Sequence, residues 1–173
     1  MPVAPYLDTF LLLLVAAAAI NDLASRRIPN LLLLTGLAGA LLLHALSPRP
    51  GEALLACFAG TAVGLLLFLP FYLVRGMAAG DVKMMATVGA FTGPAAVLHI
   101  AVLAWCVGGV MALAVILFRG RIRLALEGLR DAVSQLALRR SAMHAKTQAS
   151  AGSIPYGVAI AAATIYVLAS RYV

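Results

Sequence analysis

Charged residues are scarce in this chain: they make up 11% of its 173 residues, and only six residues are acidic. Apolar residues make up 64%, more than the roughly one half that is usual in soluble domains. This composition excludes an ordinary water-soluble domain and indicates a protein that resides in a lipid bilayer. Little sequence remains for a separate soluble part, so we predict a single membrane domain over residues 1–173.

Cysteine is also scarce, with only Cys57 and Cys106 present, both inside apolar stretches. There is no Cys-x-x-Cys pair and no histidine nearby at ligand spacing, which argues against a disulfide scaffold and a zinc site. We therefore expect neither a metal nor an organic cofactor. The net charge of +7 lies in short segments between apolar stretches, where cations set membrane topology. We expect no nucleic-acid partner.

Apolar stretches separated by turns account for most of the chain. They cover about residues 6–23, 31–46, 52–74, 82–91, 95–118 and 154–169. A membrane-spanning helix needs about 20 mostly apolar residues, and the intervening Pro- and Gly-containing segments are typical helix breakers. The pattern predicts an all-α fold, a polytopic membrane helix bundle of about six transmembrane helices.

Residues 119–153 form the one sizeable polar segment. Apolar residues recur there at helical spacing, and arginines occupy the other faces, which predicts a basic amphipathic helix. Such a helix can lie on an anionic membrane surface or pack on the membrane helices, and the sequence leaves both open. With the N-terminus outside, eleven of the thirteen Lys and Arg residues fall on the inner side. The positive-inside rule therefore predicts that this segment is a cytoplasmic loop.

Two of the six acidic residues, Asp22 and Asp81, adjoin apolar spans. Ionisable groups at such positions are costly and indicate a functional site. In the predicted topology both lie at the cytoplasmic boundary, where they could meet. Two carboxyls in a poorly solvated site share a proton, so that one acts as base and the other as acid. Taken alone, Asp81 could be only a helix N-cap, and Asp22 could be an interfacial carboxylate paired with arginine.

The surrounding motifs favour the functional interpretation. Residues 21–30 read NDLASRRIPN, residues 76–85 read GMAAGDVKMM, and residues 154–160 read IPYGVAI. The first two resemble the signature segments of the type IV prepilin peptidase family, the second being the GxGD region of intramembrane aspartic proteases. The third resembles the family's last helix. Ala78 departs from the pattern, because it stands where GxGD has its first glycine.

The resemblance implies that Asp22 and Asp81 are the two catalytic aspartates. It also implies supporting or substrate-binding roles for nearby motif residues: Gly80, Lys83, Arg27, Pro29 and Asn30. The activity implied is that of an aspartic endopeptidase that removes the basic leader of a prepilin, whose apolar helix stays in the membrane. The enzyme would be a multi-pass protein of the bacterial inner membrane, with its active site facing the cytoplasm.

Bifunctional members of the family carry paired Cys-x-x-Cys motifs, which this chain lacks. In this respect it resembles the short, peptidase-only branch associated with tight-adherence (Flp) pili. A preflagellin-type peptidase shares the same core motifs and remains an alternative. A non-enzymatic transporter or assembly subunit is the other alternative, since either could hold two carboxylates in a helix bundle. Transporter acids tend to lie at the bilayer midplane within repeated halves, and no repeat is visible here.

Helix dipoles suggest how the roles divide within the pair. Asp81 begins a predicted helix, where free amides favour a carboxylate, whereas Asp22 lies in the final turns of another. The hypothesis is that Asp81 is the base and Asp22 holds the proton. The effect of a dipole is only about 0.3–1 kcal/mol, so neighbouring cations could reverse it.

Overall fold

The computed structural model describes residues 4–74, 76–118 and 155–172, and in these ranges the chain is helical without strands. The helices are α1 (Ala4–Ser25), α2 (Asn30–Ala45), α3 (Pro50–Leu73), α4 (Ala79–Phe118) and α5 (Tyr156–Ala169). The all-α prediction is confirmed. The amphipathic helix predicted within 119–153 lies outside the described residues. Of the described residues, those up to 107 and from 155 onward belong to one compact unit, and residues 108–118 belong to a second. The single peptidase domain stays a prediction.

Within the described ranges, three helices are long and apolar enough to cross a membrane, judged by length and composition. These segments are Pro5–Ser25, Pro50–Leu73 and Ala79–Val115, while α2 and α5 are shorter apolar helices. Their outward faces carry large apolar side chains, among them Leu13, Leu55 and Tyr166, each more than half exposed. Exposed apolar surface on this scale is unfavourable in water, so the helices support the predicted bilayer environment.

Helix α4 is interrupted at Gly93, whose φ of 77° and ψ of 174° are not helical. Glycine adopts such a positive φ without the steric cost that a Cβ brings. The next residue, Pro94, has no N–H to continue the helical hydrogen bonds. We call residues 79–92 α4a and residues 94–118 α4b. They correspond to the fourth and fifth predicted helices, so the sequence correctly placed a turn at 92–94.

Contacts with α3 show that the chain reverses direction at Gly93. A Cβ at Gly60 would meet the backbone of Gly89, and one at Gly64 would meet the backbone of Met85, so α3 and α4a are antiparallel. Further along α3, the Phe68 ring stacks on Trp105 of α4b with a centroid distance of 5.9 Å. Later positions in α3 therefore contact later positions in α4b, so these two segments run parallel. The five helices thus contain six apolar segments, as the prediction of about six requires.

Helix α4a is the centre of the first unit. Ten of the eleven residues 81–91 are buried, Lys83 being the exception. A helix that is apolar on all sides is stable only when other helices surround it. Close approach is possible because Gly60 and Gly64 present no side chain where α3 crosses α4a, as expected for a Gly-x-x-x-Gly pattern.

His44, at the far end of α2, is buried and satisfies a backbone group beside the break in α4. Its Nε2 lies 2.9 Å from the carbonyl oxygen of Ala90. That carbonyl would ordinarily accept from the N–H four residues later, but this residue is Pro94. Since a carbonyl can only accept, Nε2 of His44 is the donor. The contact gives this histidine a structural role.

Helices α1 and α5 pack against each other in antiparallel fashion and are joined by polar contacts at both ends. At one end the N–H of Gly157 donates to Asp22 over 2.8 Å. At the other end the Tyr172 hydroxyl donates to Asp8 over 2.7 Å, and Arg171 lies 3.5 Å from the same carboxylate. The two sets of contacts are fourteen residues apart on α1, which corresponds to about 21 Å at 1.5 Å per residue.

Candidate active site

A sharp turn follows α1 and fixes where Asp22 ends up. Arg26 adopts a φ of 54°, and its N–H donates to the Asp22 carbonyl over 2.9 Å. A left-handed residue closing a helix is a common C-terminal cap, although a side chain makes it costlier than glycine. The Ser25 hydroxyl bonds to the carbonyls of Asn21 and Arg27. Asp22 therefore sits one turn before the end of α1.

The second motif begins α4, and Asp81 is the third residue of that helix. Its N–H donates to the carbonyl of Ala78 over 3.2 Å, which closes the first turn. Ala78 does not have a positive φ, so its conformation is open to any L-residue. The departure from GxGD at this position is therefore accommodated without backbone strain.

The two motifs predicted from the sequence lie side by side. A Cβ built on Gly80 would lie 3.4 Å from the Cβ of Ile28, an ordinary packing distance. The Lys83 ammonium donates to the side-chain carbonyl of Asn30 over 3.0 Å. This contact joins the start of α2 to the start of α4 and is exposed. Two of the predicted supporting residues, Lys83 and Asn30, thus contact each other.

Both candidate carboxyls are buried, and the structure brings them together. Asp22 and Asp81 are each 6% exposed, and the two carboxyls lie within electrostatic range of each other. Among the acidic residues in the described ranges, these two are the buried ones, since Asp8 and Glu52 keep contact with solvent. Fifty-nine positions of sequence separate the two aspartates. Because α1 and α4a run antiparallel, the end of α1 lies beside the start of α4a, which brings the two residues together.

Asp22 has a partner that the sequence did not reveal. Gly157, in the first turn of α5, donates its N–H to Oδ2 of Asp22 over 2.8 Å. The preceding Pro155 occupies the N-cap position and makes no side-chain capping bond. The carboxyl of Asp22 thus accepts from a free amide of the kind that a capping side chain would normally satisfy. A helix start with no capping residue was the available signal for this contact.

This contact changes the argument about unequal roles. The sequence-based hypothesis considered only the helix on which each aspartate lies. In the structure Asp81 is at the start of α4, while Asp22 faces the start of α5 through Gly157. Both carboxyls therefore lie near the positive end of a helix dipole. Dipoles do not distinguish the base from the acid here.

Aromatic rings lie beside the carboxyl pair. Tyr156 lies within electrostatic range of Asp81. Its ring packs edge-on against Phe68, with 6.0 Å between the ring centroids. Phe68 in turn stacks on Trp105, which also contacts Phe71 at 5.5 Å. The rings form one aromatic cluster, which reaches the carboxyl pair through Tyr156.

The remaining predicted residues lie at the edge of the site. Pro29 is the N-cap residue of α2, with a φ of −61° and extended ψ. Arg27 and Pro29 are exposed. The backbone carbonyl of Arg27 accepts a hydrogen bond from the Ser25 hydroxyl. The arginine whose charge reaches Asp22 is Arg26. The role of Arg27 in binding substrate stays a prediction.

The arrangement suits acid–base chemistry by two carboxyls. Within the described residues no group of three or more His, Cys, Asp and Glu side chains is placed to hold a metal ion. Two carboxyls in mutual range and shielded from water can hold one proton between them, which provides a base and an acid in the same site. That pair of functions is what hydrolysis of an amide bond requires.

One comparison with known proteins gives a match. A family model described as the type IV leader peptidase family matches residues 9–113, more than half of the chain. The matched segment contains Asp22, Asp81 and both motifs, and it ends before α5. No curated protein and no solved structure matches the chain.

Proposed function

The chain belongs to the type IV leader peptidase family, and from this premise we propose that it is a membrane-embedded aspartic endopeptidase that removes prepilin leaders. Asp22 and Asp81 are its catalytic residues in this proposal. The observation that carries it is the burial of these two carboxyls within electrostatic range of each other. A membrane protein gains nothing in stability from two such carboxyls side by side, because each raises the cost of charging the other.

The reaction needs water and the two carboxyls alone. The ionised carboxylate takes a proton from water as the water oxygen attacks the carbonyl carbon of the scissile peptide bond. The protonated carboxyl gives its proton to the carbonyl oxygen, which forms a neutral tetrahedral diol. The diol collapses as the C–N bond breaks. The carboxyl that took the proton from water gives it to the leaving nitrogen, and the other carboxylate recovers a proton from a diol hydroxyl, so that a new carboxyl group remains on the leader and the pair returns to its starting state.

The surroundings of the pair fit a substrate that enters from the membrane. The aromatic cluster of Phe68, Trp105 and Tyr156 reaches Asp81 through Tyr156. Phe68 is buried, whereas Trp105 and Tyr156 are partly exposed and are available for contact with an apolar helix. On the other side, Lys83 and Asn30 are exposed. A scissile bond between a polar leader and an apolar helix would lie between these two surroundings.

The finer assignments belong to the same proposal. The substrate is a type IV prepilin of the Flp class, cut at the cytoplasmic face of the bacterial inner membrane. The distribution of cations along the sequence supports this orientation. The cations Arg26 and Lys83 near the site oppose a basic leader, so the attraction for the leader must come from the carboxyl pair itself or from anionic lipid.

Incubation of the purified protein with a prepilin in lipid vesicles tests the function. Mass spectrometry should find a free leader and a shortened pilin, and in ¹⁸O-labelled water the leader should gain one heavy oxygen. A matched substrate with the residues around the junction replaced by leucine should remain whole. If the prepilin stays intact under these conditions, or both substrates are cut alike, a leader peptidase is the wrong assignment.

A further inference from the structure

Helix α5 contacts the carboxyl pair although it lies outside the segment matched to the family. We propose that Gly157 is a positioning residue, which holds the Asp22 carboxyl in its working orientation through its backbone N–H and its lack of a side chain. The proposal rests on the proposed function. It adds the first turn of the last helix to the catalytic machinery of the chain.

The first part of the argument is the hydrogen bond. The N–H of Gly157 lies 2.8 Å from Oδ2 of Asp22, and the bond is buried. It spans 135 positions of sequence, so it depends on the packing of α5 against α1. Since Oδ2 accepts this bond, the other carboxyl oxygen is directed away from α5. The rotation of the Asp22 carboxyl is thereby defined.

The second part is the missing side chain. A Cβ built on Gly157 would lie 2.9 Å from Oδ2 of Asp22 and 3.2 Å from both its Cβ and its Cγ. Real Cβ atoms essentially never approach within 3.0 Å, so a neighbour would have to move. Rotation of the Asp22 carboxyl relieves the contact with Oδ2, and a shift of a few tenths of an ångström relieves the contact with Cβ. The main displacement therefore falls on the carboxyl.

Other glycines in the chain provide the contrast. At Gly60 the atoms nearest to a new Cβ belong to the backbones of Gly89 and Gly93, so a methyl group there must force α3 from α4. At Gly51 no atom lies within 4 Å, and a methyl group meets open space. A methyl group at Gly157 should therefore disturb chemistry, one at Gly60 should disturb packing, and one at Gly51 should disturb neither.

The contacts at the other end of the helix pair support the same assignment. Asp8 accepts a hydrogen bond from the Tyr172 hydroxyl and lies near Arg171. Asp8 is about 21 Å from Asp22 along the axis of α1. Polar contacts at both ends fix how far α5 can slide along α1. A slide of one residue would carry the Gly157 amide 1.5 Å along the axis, which is enough to break its bond to Asp22.

Three glycine variants, Gly157→Ala, Gly60→Ala and Gly51→Ala, test the proposal through kcat, KM and the unfolding temperature. Misplacement by about 1 Å can cost about 100-fold in rate, so Gly157→Ala should lower kcat by about 10- to 100-fold. Its KM should match that of Gly51→Ala, and loss of the single bond to Asp22 should lower the unfolding temperature by only about 2–4 °C. Gly60→Ala should lower the unfolding temperature further, because the backbones of two helices must separate. A Gly157→Ala enzyme with kcat within about twofold of the parent would overturn the proposal.

A second measurement needs neither catalysis nor a folded Gly157 variant. The sequence contains a single Tyr–Gly pair, at 156–157, so ¹³C-carbonyl tyrosine and ¹⁵N-glycine together label one amide for NMR. That amide proton should shift upfield in Asp22→Ala, which removes its acceptor, and should keep its position in Glu52→Gln. An unchanged signal in Asp22→Ala would overturn the role of Gly157. Because the signal is independent of cleavage, this outcome is separable from failure of the proposed function.

Discussion

Replacing His44 should destabilise the bundle, because this side chain donates to a backbone carbonyl that lacks its usual helical donor at the break in α4. His44 is 9% exposed, and its Nε2 donates to the Ala90 carbonyl over 2.9 Å. The usual helical donor to that carbonyl is missing, since Pro94 has no N–H. The substitution His44→Phe keeps a ring of similar size but removes the donor, so it isolates the hydrogen bond from the packing.

The magnitude follows from the buried carbonyl that would remain. Leaving a buried acceptor without a partner costs about 1–3 kcal/mol. For a chain of this length, 1 kcal/mol corresponds to a change of roughly 2–4 °C in unfolding temperature. We therefore expect His44→Phe to unfold several degrees below the parent protein. His44→Gln, whose amide can donate, should recover part of the difference.

Thermal unfolding in detergent, followed by circular dichroism, measures this effect. His99 provides the matched control, because it lies on α4b with an exposed side chain. The same change at that site, His99→Phe, should leave the unfolding temperature within about 1 °C of the parent. Equal unfolding temperatures for His44→Phe and His99→Phe would refute the argument from the missing Pro94 donor.

Three further predictions concern the site and its orientation. Ala78→Gly should retain at least the parental rate of leader removal, because Ala78 has no positive φ to relieve; a loss above about tenfold in the cleavage assay would reveal a contact of its methyl group. Asp22→Ala should unfold about 1 kcal/mol more easily than Asp22→Asn in a denaturant titration, because only the amide can still accept from Gly157; equal stability would count against that contact. In a cysteine-free background, a membrane-impermeant thiol reagent should label cysteines placed near Arg49 but none at 119–150 in intact cells; labelling of the loop would reverse the orientation.

Much of the fold was predictable because the apolar pattern reports helices directly. The helix boundaries follow from Pro29 and Pro50, which begin α2 and α3 within one residue, and from the Gly93–Pro94 break. The central position of α4a was less accessible. A short apolar run gives the same pattern whether it faces lipid or protein. The burial of α4a depends instead on the small residues of α3, which allow the two helices to pack closely.

For the candidate site, the sequence predicted that its two acids could meet, and it predicted less about their contacts. Asp22 and Asp81 were identifiable because carboxylates are rare beside apolar spans. The contact of Gly157 with Asp22 depends on a backbone amide, which no side-chain pattern encodes. The same is true of Ile28 against Gly80, where the information lies in helix packing. The predicted use of Arg27 is untested, whereas the backbone N–H of Arg26 donates to the Asp22 carbonyl.

The rate of leader removal by the single variants Asp22→Asn and Asp81→Asn tests the catalytic pair most directly. Asparagine keeps the size of each side chain and can accept the same hydrogen bonds, but it cannot exchange protons. Loss of acid–base catalysis typically costs about 100- to 10,000-fold, so each variant should fall at least about 100-fold while still inserting into the membrane. Glu52→Gln, a matched change at an exposed carboxylate, should keep the parental rate. If either Asp variant retains more than roughly a tenth of that rate, far above the range for lost acid–base catalysis, the two carboxyls are not the catalytic pair.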